Sequence, residues 1–356
     1  MTLSAAGKKS VLITGGCGFI GCNLADRLAS RGDQVVVLDN LVRAGVRENA
    51  QWLKSRHADR ISVVVGDVRD PITVIDVVRE AGAVLHLAAQ VAVTSSLQTP
   101  IDDFEINARG TLNVLEAVRL HNPAVPVVFA STNKVYGRLI DNSQIRRDGT
   151  RHVPRDAGLA LGITEDTPLD LYSPYGCSKG TADQYVRDYA RIFGLNTAVL
   201  RMSCIYGPRQ FGNEDQGWIA HFLLSALRGE KLTIYGDGMQ VRDALYVADA
   251  AEAWIGVLDN IERISGRIFN LGGGPSNSIS LIELIAMIQQ ISGKRPAFGF
   301  AEWRPGDQPW YVSDIGSLGA AIGWTPATPL ADGLQHLHGW LEGRFGRVAG
   351  GQEALA

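Results

Sequence analysis

The sequence predicts an α/β fold in which a doubly wound parallel sheet precedes a smaller C-terminal α/β lobe. Short β-branched runs alternate with amphipathic stretches through the first half of the 356-residue chain. The runs are apolar throughout, as is typical of parallel strands covered on both faces. A glycine-rich segment, Val11–Gly21, then connects the first run to the first helical stretch. Strand, glycine turn and helix in this order indicate a Rossmann-type sheet.

Stretches between the predicted strands are long enough to carry the chain back across the sheet, so that the next strand can run parallel to the one before. The predicted strands are Ser10–Thr14, Gln34–Asp39, Ile61–Asp67, Ala83–Ala88, Pro126–Ser131 and Thr197–Met202. The helices predicted between them are Ile20–Arg31, Pro71–Glu80, Asp102–Leu120 and Ser178–Phe193. We therefore assign residues 1–204 to the Rossmann domain.

The pattern changes after about Arg201, where turns such as Tyr206-Gly207-Pro208 interrupt short strands. Helices are predicted there at Trp218–Arg228, Ala248–Leu258 and Ser280–Ile291. We assign residues 205–345 to an α/β substrate-binding lobe and 346–356 to a tail. An insertion at about 138–171 is Gly-, Asp- and Arg-rich and longer than a usual connection, which predicts a functional flap or a mobile segment.

Composition and charge exclude several classes of function. A net charge of −3 gives no basic surface for nucleic acid, and no apolar run is long enough to span a membrane. No apolar segment follows the first ten residues, so a signal peptide is not expected. The four cysteines lack metal-ligand spacing, which predicts no metal site and a reducing cytoplasm. Cys17 and Cys177 lie within the two main motifs, where we expect small buried residues.

The glycine-rich segment has the spacing that binds a dinucleotide. Gly15, Gly18 and Gly21 allow a tight turn, close approach of the backbone to a pyrophosphate, and close packing of the helix that Phe19 and Ile20 begin. The alternative is a purely structural turn.

Asp39 ends the second strand, 24 residues after Gly15. A carboxylate there accepts hydrogen bonds from both ribose hydroxyls and repels a 2′-phosphate, which favours NAD over NADP. The alternative is a solvent-exposed strand end, and Arg43 keeps NADP open. The remaining predicted cofactor contacts are Asn40, Asp67, Val68, Ala88, Ala89, Gln90, Asn107, Tyr175 and Lys179.

Tyr175 and Lys179 are four residues apart and so lie on one face of a helix. A phenol with an ordinary pKa near 10 needs nearby positive charge to act as a base at neutral pH, and Lys179 and a nicotinamide ring would supply it. Thr132 follows the fifth strand and would hydrogen-bond the reacting substrate oxygen. The alternative is that Tyr175 and Lys179 only pack on a helix.

Longer strings around these residues show a family resemblance. Up to about Trp340, the chain resembles extended short-chain dehydrogenases/reductases that act on nucleotide sugars, and most of all the CDP-paratose 2-epimerase (CDP-tyvelose epimerase) group. The strings that carry this resemblance are Ser131–Gly137, Ser173–Gly180, Arg209–Phe211 and Asp215–Trp218. The resemblance implies that Thr132, Tyr175 and Lys179 are catalytic and that NAD stays bound through turnover.

The positions after Thr132 bear on the type of reaction. The 4,6-dehydratases of this superfamily carry an Asp-Glu pair there, whereas this chain has Asn133-Lys134. The sequence therefore disfavours dehydration, and the resemblance implies epimerisation at C2 of a CDP-hexose. Two alternatives stay open: a 4-epimerase or dehydrogenase acting on a UDP- or GDP-sugar, and a non-catalytic NAD-binding sensor.

A nucleotide sugar carries a diphosphate, which arginine binds well. The predicted substrate residues are Asn133, Arg209, Gln210, Tyr235, Arg242 and Arg304. Relatives often carry Asn where this chain has Cys204, which points to a different sugar. The resemblance also implies a homodimer, paired through the helices Asp102–Leu120 and Ser178–Phe193; Phe104, Leu112, Val114 and Leu115 are consistent with it.

Overall fold

A seven-stranded sheet, parallel throughout, forms the centre of the computed structural model, which describes residues 10–304 and 306–345. The predictions for residues 1–9 and for the tail 346–356 lie outside the described residues. The strands are β1 (Ser10–Thr14), β2 (Val35–Asp39), β3 (Ile61–Val65), β4 (Ala81–His86), β5 (Val127–Thr132), β6 (Ile145–Asp148), β7 (Arg151–Pro154), β8 (Thr197–Met202), β9 (Cys204–Tyr206), β10 (Leu232–Tyr235), β11 (Val241–Tyr246), β12 (Arg267–Leu271), β13 (Ser278–Ser280), β14 (Phe298–Ala301) and β15 (Trp310–Tyr311). The α-helices are α1 (Phe19–Arg31), α2 (Val46–Arg56), α3 (Pro71–Arg79), α4 (Val93–Gln98), α5 (Pro100–Phe104), α6 (Gly110–His121), α7 (Ser173–Phe193), α8 (Trp218–Arg228), α9 (Val247–Asp259), α10 (Ile261–Ile264), α11 (Leu281–Ser292), α12 (Gly316–Ile322) and α13 (Leu330–Phe345).

The strand order of the central sheet is β3-β2-β1-β4-β5-β8-β12. The order reverses between β1 and β4, so the connections that follow these two strands run to opposite sides. The carboxyl ends of parallel strands leave a crevice at such a point, and ligands bind there. The predicted Rossmann-type sheet is confirmed.

Apolar side chains cover both faces of the sheet. On one face, Leu24 and Leu28 of α1 and Trp254 of α9 pack into the core. On the other, Val114 and Leu115 of α6 pack against the sheet together with residues of α3 and α7. This double burial explains why the strands are apolar throughout instead of alternating.

The boundary predicted at residue 204 does not separate the two parts of the chain in space. The strand β12, which lies beyond it, pairs with β8 as the last strand of the central sheet, and α9 covers one face of that sheet. Because β12 is short and follows a run of helices, its local sequence resembles that of the lobe. The Rossmann domain therefore includes residues from both sides of the predicted boundary.

The rest of the C-terminal half forms a smaller lobe beside the carboxyl ends of the strands. Its sheet contains β9, β11, β13 and β15, and β10 pairs with β14. The helices α8, α11 and α13 supply its core, which includes Phe222, Leu284 and Leu334. The predicted helix Trp218–Arg228 matches α8.

The insertion at 138–171 is docked onto this lobe and does not cover the sheet crevice. Its hairpin, β6 and β7, is fixed by Arg151, whose guanidinium donates to both carboxylate oxygens of Glu283. His152 Nε2 lies 2.8 Å from Asp237 Oδ2. These contacts, which local composition does not reveal, join the hairpin of the insertion to the lobe, and the functional flap or mobile segment stays a prediction.

The stretch predicted as one helix at Asp102–Leu120 is α5 and α6 joined by a π-helical turn, Glu105–Arg109. Such turns insert one residue into the helical repeat and often occur at functional sites. Here the turn carries Asn107. In the described ranges we found no helix with the length and apolar character needed to cross a bilayer.

Candidate active site

The glycine turn after β1 has no room for a side chain at Gly15 or at Gly21. Gly15 has φ of +68°, and a Cβ there would lie 2.7 Å from Ala88 N. A Cβ on Gly21 would lie 2.5 Å from the carbonyl oxygen of Gly15. Backbone therefore packs directly on backbone, and α1 begins at Phe19 with its N-terminus at the crevice. A helix N-terminus in this position favours a phosphate group.

A carboxylate lies at the end of β2, where the sequence predicted it. Asp39 Oδ2 accepts from Cys17 N at 3.0 Å and Oδ1 accepts from Leu41 N at 2.9 Å. Burial raises the pKa of Asp39, and these two amides oppose that shift. Each oxygen has a further lone pair, so ribose hydroxyls can still donate to it.

Asp67 is held by two neighbours. Arg69 donates to both of its oxygens, at 3.0 and 2.9 Å, and Asn40 Nδ2 donates at 2.9 Å. The Arg69 hydrogen bonds lower the pKa of Asp67 to about 2. The carboxylate therefore stays charged and fixes Asn40 at the rim of the crevice.

The crevice is a cavity of about 500 Å³. It is lined by the predicted cofactor residues Gly15, Gly18, Phe19, Ile20, Gly21, Asp39, Asn40, Asp67, Val68, Ala88, Ala89, Gln90, Tyr175 and Lys179. Two of the predicted substrate residues, Arg209 and Gln210, line it as well. Arg43, Phe211 and Gln216, which were not among the predicted contacts, complete part of the wall.

A buried histidine fixes the wall after β4. His86 Nδ1 lies 2.6 Å from Thr14 Oγ1, and Nε2 lies 3.0 Å from Thr111 Oγ1. Burial lowers the pKa of His86 to about 3, so the ring is neutral. Ala88 N donates to Thr14 Oγ1 at 3.2 Å. These bonds tie β1, β4 and α6 together behind the small residues of the cavity wall.

Asn107 lies behind the cavity wall and does not line the cavity. Its side chain accepts from Gln90 N at 2.9 Å and donates to Gln90 O at 3.0 Å. It also donates to Ser178 Oγ at 3.0 Å. Asn107 is fully buried, and these bonds make it a positioning residue for the Gln90 wall and for α7.

Thr132, Tyr175 and Lys179 meet at the end of β5. Burial raises the pKa of Tyr175 to about 12, while a hydrogen bond with Thr132 and the charge of Arg43 lower it and Asp103 raises it. The Lys179 ammonium lies 4.2 Å from the centre of the Phe129 ring. Burial lowers the pKa of Lys179 to about 7, against the charges of Asp183 and Asp103. A phenol bonded to a hydroxyl beside a buried amine can pass one proton to or from a ligand oxygen.

Arg242, Arg304 and Tyr235 lie in the C-terminal lobe, outside the cavity wall. Arg242 donates to Asp307 Oδ1 at 2.6 Å. The Arg304 guanidinium stacks 3.8 Å from the centre of the Tyr235 ring, and both side chains contact Glu214. The two arginines thus lie in the lobe that faces the crevice, each with an acidic partner.

Arg209 and Gln210 lie between the lobe and the Rossmann domain. Arg209 stacks 4.2 Å from the centre of the Trp52 ring on α2 and lies 3.7 Å from Glu48. Gln210 Nε2 donates to Ile205 O, while its buried Oε1 has no partner among the described residues. The structure therefore groups these two residues with the predicted cofactor cavity.

Asn133 and Cys204 each accept one hydrogen bond from a neighbouring side chain. Cys204 Sγ accepts from Trp218 Nε1 at 3.3 Å, and Asn133 Oδ1 accepts from Thr132 Oγ1 at 3.4 Å. Cys17 is buried as expected, but Cys177 is exposed. Cys177 lies on the outer face of α7, where its thiol donates to Leu171 O.

Comparisons with known proteins identify the family of this chain. The model of the NAD dependent epimerase/dehydratase family matches residues 11–272. A CDP-paratose 2-epimerase from Salmonella typhi is 43% identical over 337 residues, which are 93% of this chain and 98% of that protein.

Solved structures of related proteins share the fold. A UDP-glucose 4-epimerase from Thermus thermophilus in complex with NAD has a TM-score of 0.79 at 33% identity, covering 94% of this chain and 99% of that one. A dTDP-glucose 4,6-dehydratase from Streptomyces venezuelae, with NAD and TYD bound, has a TM-score of 0.81 at 30% identity, covering 95% and 98%. The predicted resemblance is confirmed, and the chain belongs to the NAD dependent epimerase/dehydratase family.

Proposed function

We propose that this protein is an NAD-dependent nucleotide-sugar epimerase that inverts C2 of a CDP-hexose. The observation that carries the proposal is the position of Tyr175 and Lys179, one helical turn apart, in the wall of the cavity that the glycine turn and Asp39 also line. The likeness to the Salmonella typhi CDP-paratose 2-epimerase supports both the reaction at C2 and cytidine as the nucleoside of the substrate.

The residues that line the cavity are suited to bind NAD. The glycine turn would hold the pyrophosphate at the N-terminus of α1, Asp39 the adenosine ribose, and Lys179 the nicotinamide ribose. When bound, NAD accepts a hydride from the sugar carbon and returns it, and its charged ring lowers the pKa of a nearby phenol.

The chain's own residues handle the proton. Ionised Tyr175 takes the proton of the sugar hydroxyl as that carbon becomes a ketone, and returns it after the ketone has presented its other face. Thr132 donates to the same oxygen and keeps it against the phenol. Lys179, one helical turn from Tyr175, would stabilise the phenolate in its charged form, and burial lowers its pKa to about 7.

Asn133 and Lys134 follow Thr132, at the place where the related dehydratases have two carboxylates. A side-chain amide is neither an acid nor a base near neutral pH, and an ammonium cannot accept a proton, so elimination of water lacks a base that would remove the C5 proton at this position. Epimerisation requires only the groups described above. We therefore favour it over dehydration in this site.

An isotope experiment tests the C2 assignment. A CDP-hexose deuterated at C2 should give a product that is inverted at C2 and keeps its deuterium, as followed by NMR. The deuterium stays because it does not enter the solvent-exchangeable proton pool. Washout into water would indicate proton abstraction, and retention without inversion at C2 would indicate chemistry at C4; either result contradicts the assignment. UDP-, GDP- and dTDP-sugars, assayed in parallel, test which nucleotide the enzyme accepts.

We predict that the purified protein contains bound NAD(H). An epimerase must recover the same hydride, and Asp39 disfavours a 2′-phosphate. The protein is denatured and the released dinucleotide is identified by an enzymatic assay. An Asp39→Ala variant should lose most of the bound NAD, whereas Asp59→Ala, at an exposed loop carboxylate, should retain it. Recovery of NADP(H) would show that Arg43 outweighs Asp39.

We also propose a homodimer, formed through the outer face of the layer that contains α4 to α7. Phe104, Tyr185 and Phe193 are exposed on this layer, and Ile192 is 67% exposed. Val114 and Leu115 were considered consistent with the dimer interface in the sequence analysis, but both pack against the sheet. Exposed apolar side chains on one layer favour association. The helices of this layer in two copies of the chain would pair into a four-helix interface.

Light scattering at micromolar concentration should give the mass of a dimer, and Ile192→Glu should shift it toward the monomer because a charge would be buried. Leu161→Glu is the matched control, since Leu161 is similarly exposed but lies in the insertion. A monomeric wild type would contradict the proposal. The cytoplasmic location inferred from cysteine usage stays a prediction.

A further inference from the structure

The turn after β5 carries a cation that the proposed reaction has not used. Lys134 lies two residues after Thr132, and Lys134 N donates to Thr132 Oγ1 at 3.2 Å. Its Nζ donates to Gly306 O at 3.3 Å. An ammonium has three hydrogens to donate. In residues 10–304 and 306–345, Gly306 O is the acceptor that the structure gives to Nζ, so donors remain for a ligand.

The predicted substrate arginines already have acidic partners. Arg242 lies 2.6 Å from Asp307, and Arg304 lies 3.6 Å from Glu214 and 3.5 Å from Asp215. Lys134, in contrast, has no carboxylate within 4.0 Å in the described part of the chain. Burial lowers the pKa of Lys134, the nearby charge of Asp307 opposes that shift, and the charge of Arg242 adds to it. Among the described residues, the Lys134 side chain thus ends beside the Arg242–Asp307 pair with a backbone carbonyl, and no carboxylate, as its direct partner.

The covalent structure of the substrate explains why a cation would be needed so close to Thr132. In a nucleotide sugar, three bonds separate C2 from the β-phosphorus, through C1 and the glycosidic oxygen, whereas five separate C4 from it. When C2 is the reacting carbon, the β-phosphate must therefore lie beside the catalytic hydroxyl. A carboxylate pair at Asn133 and Lys134 would repel a phosphate there, and an ammonium attracts it.

We propose that Lys134 binds the β-phosphate of the nucleotide sugar and anchors the diphosphate while C2 reacts, an inference that rests on the proposed function. Arg242 and Arg304 hold the rest of the nucleotide. Lys134 is a binding residue in this scheme, and Thr132 and Tyr175 keep their catalytic roles. A single ammonium suits this position because it can follow the phosphate as the sugar presents its other face.

Nucleotide binding separates this role from a merely structural one. The probes are CDP, which has a β-phosphate, and CMP, which lacks it, titrated by calorimetry into the NAD-containing protein. Lys134→Met keeps the length of the side chain and removes the charge. We expect it to weaken CDP binding roughly 10- to 100-fold, as for the loss of a charge-assisted hydrogen bond, and to leave CMP binding within about twofold. Lys134→Arg should recover most of the CDP affinity.

The outcomes distinguish this inference from the proposed function. Equal loss of CDP and CMP affinity, or no loss of either, overturns the role of Lys134 while leaving the epimerase proposal in place. A wild type that binds none of CDP, UDP, GDP and dTDP overturns both. The NAD content and melting temperature of each variant verify that it is folded. Lys231→Met, which removes an exposed lysine of the lobe, is the matched control and should change neither affinity.

Discussion

Tyr175→Phe should lower kcat by about 10²- to 10⁴-fold, the range typical of a lost general acid/base. The phenolic oxygen is the group that exchanges the substrate proton in the proposed reaction, and phenylalanine fills the same space without it. Tyr175 is 7% exposed, and its ring is part of the cavity wall. The fold and the NAD content should therefore change little, while single-turnover kinetics show a slow chemical step.

Tyr185→Phe is the control for this experiment. Tyr185 lies on the same helix, ten residues further on, but it lies on the face of the proposed dimer and not in the cavity wall. Its loss should leave kcat unchanged. Activity of Tyr175→Phe close to that of the wild type would remove the phenol from the mechanism. It would also favour the sensor hypothesis, which has no need of an acid/base group.

The fold could be predicted because its signals are local. Apolar runs such as Val35–Asp39 and the glycine spacing of Gly15 to Gly21 constrain the backbone wherever the rest of the chain lies. The seventh strand could not be predicted in the same way. Its five residues follow two helices of the C-terminal half, and only pairing with β8 shows that they belong to the central sheet.

The site could be predicted for the same reason where a motif defines it, and was missed where tertiary contacts define it. The Tyr175/Lys179 spacing is a helical repeat, so both side chains could be assigned from the sequence. Arg43 and Asp103 act on the Tyr175 phenol from a loop and from another helix, which no local pattern reveals. The role of Asn107 depends on a π-helical turn, and its bonds to Gln90 span 17 residues.

The positions of the catalytic groups depend on a buried ion pair, and its loss should be the largest single effect on stability. Asp183, one turn after Lys179 on α7, accepts from Arg201 Nε at 2.9 Å and from a terminal Arg201 nitrogen at 3.0 Å. It also accepts from Ser131 Oγ at 2.7 Å. The carboxylate is fully buried and Arg201 nearly so. One side chain thus joins α7, β5 and β8, and the first two of these elements carry Tyr175 and Thr132.

Asp183→Ala should lower the free energy of unfolding by about 3–5 kcal/mol, because Arg201 would keep a buried charge without its partner. Thermal and urea unfolding measure the loss, and Asp188→Ala, at an exposed carboxylate on the same helix, should change it by less than about 0.5 kcal/mol. The double variant Asp183→Leu with Arg201→Met should recover much of the stability, since an apolar pair of similar volume can replace buried ions. It should not restore activity equally, because the bonds that align β5 with α7 would be gone. A loss of stability below about 1 kcal/mol in Asp183→Ala would be well under the cost of an unpaired buried charge. It would show that water or another group compensates for the missing carboxylate. The alignment of Thr132 with Tyr175 would then have a different origin.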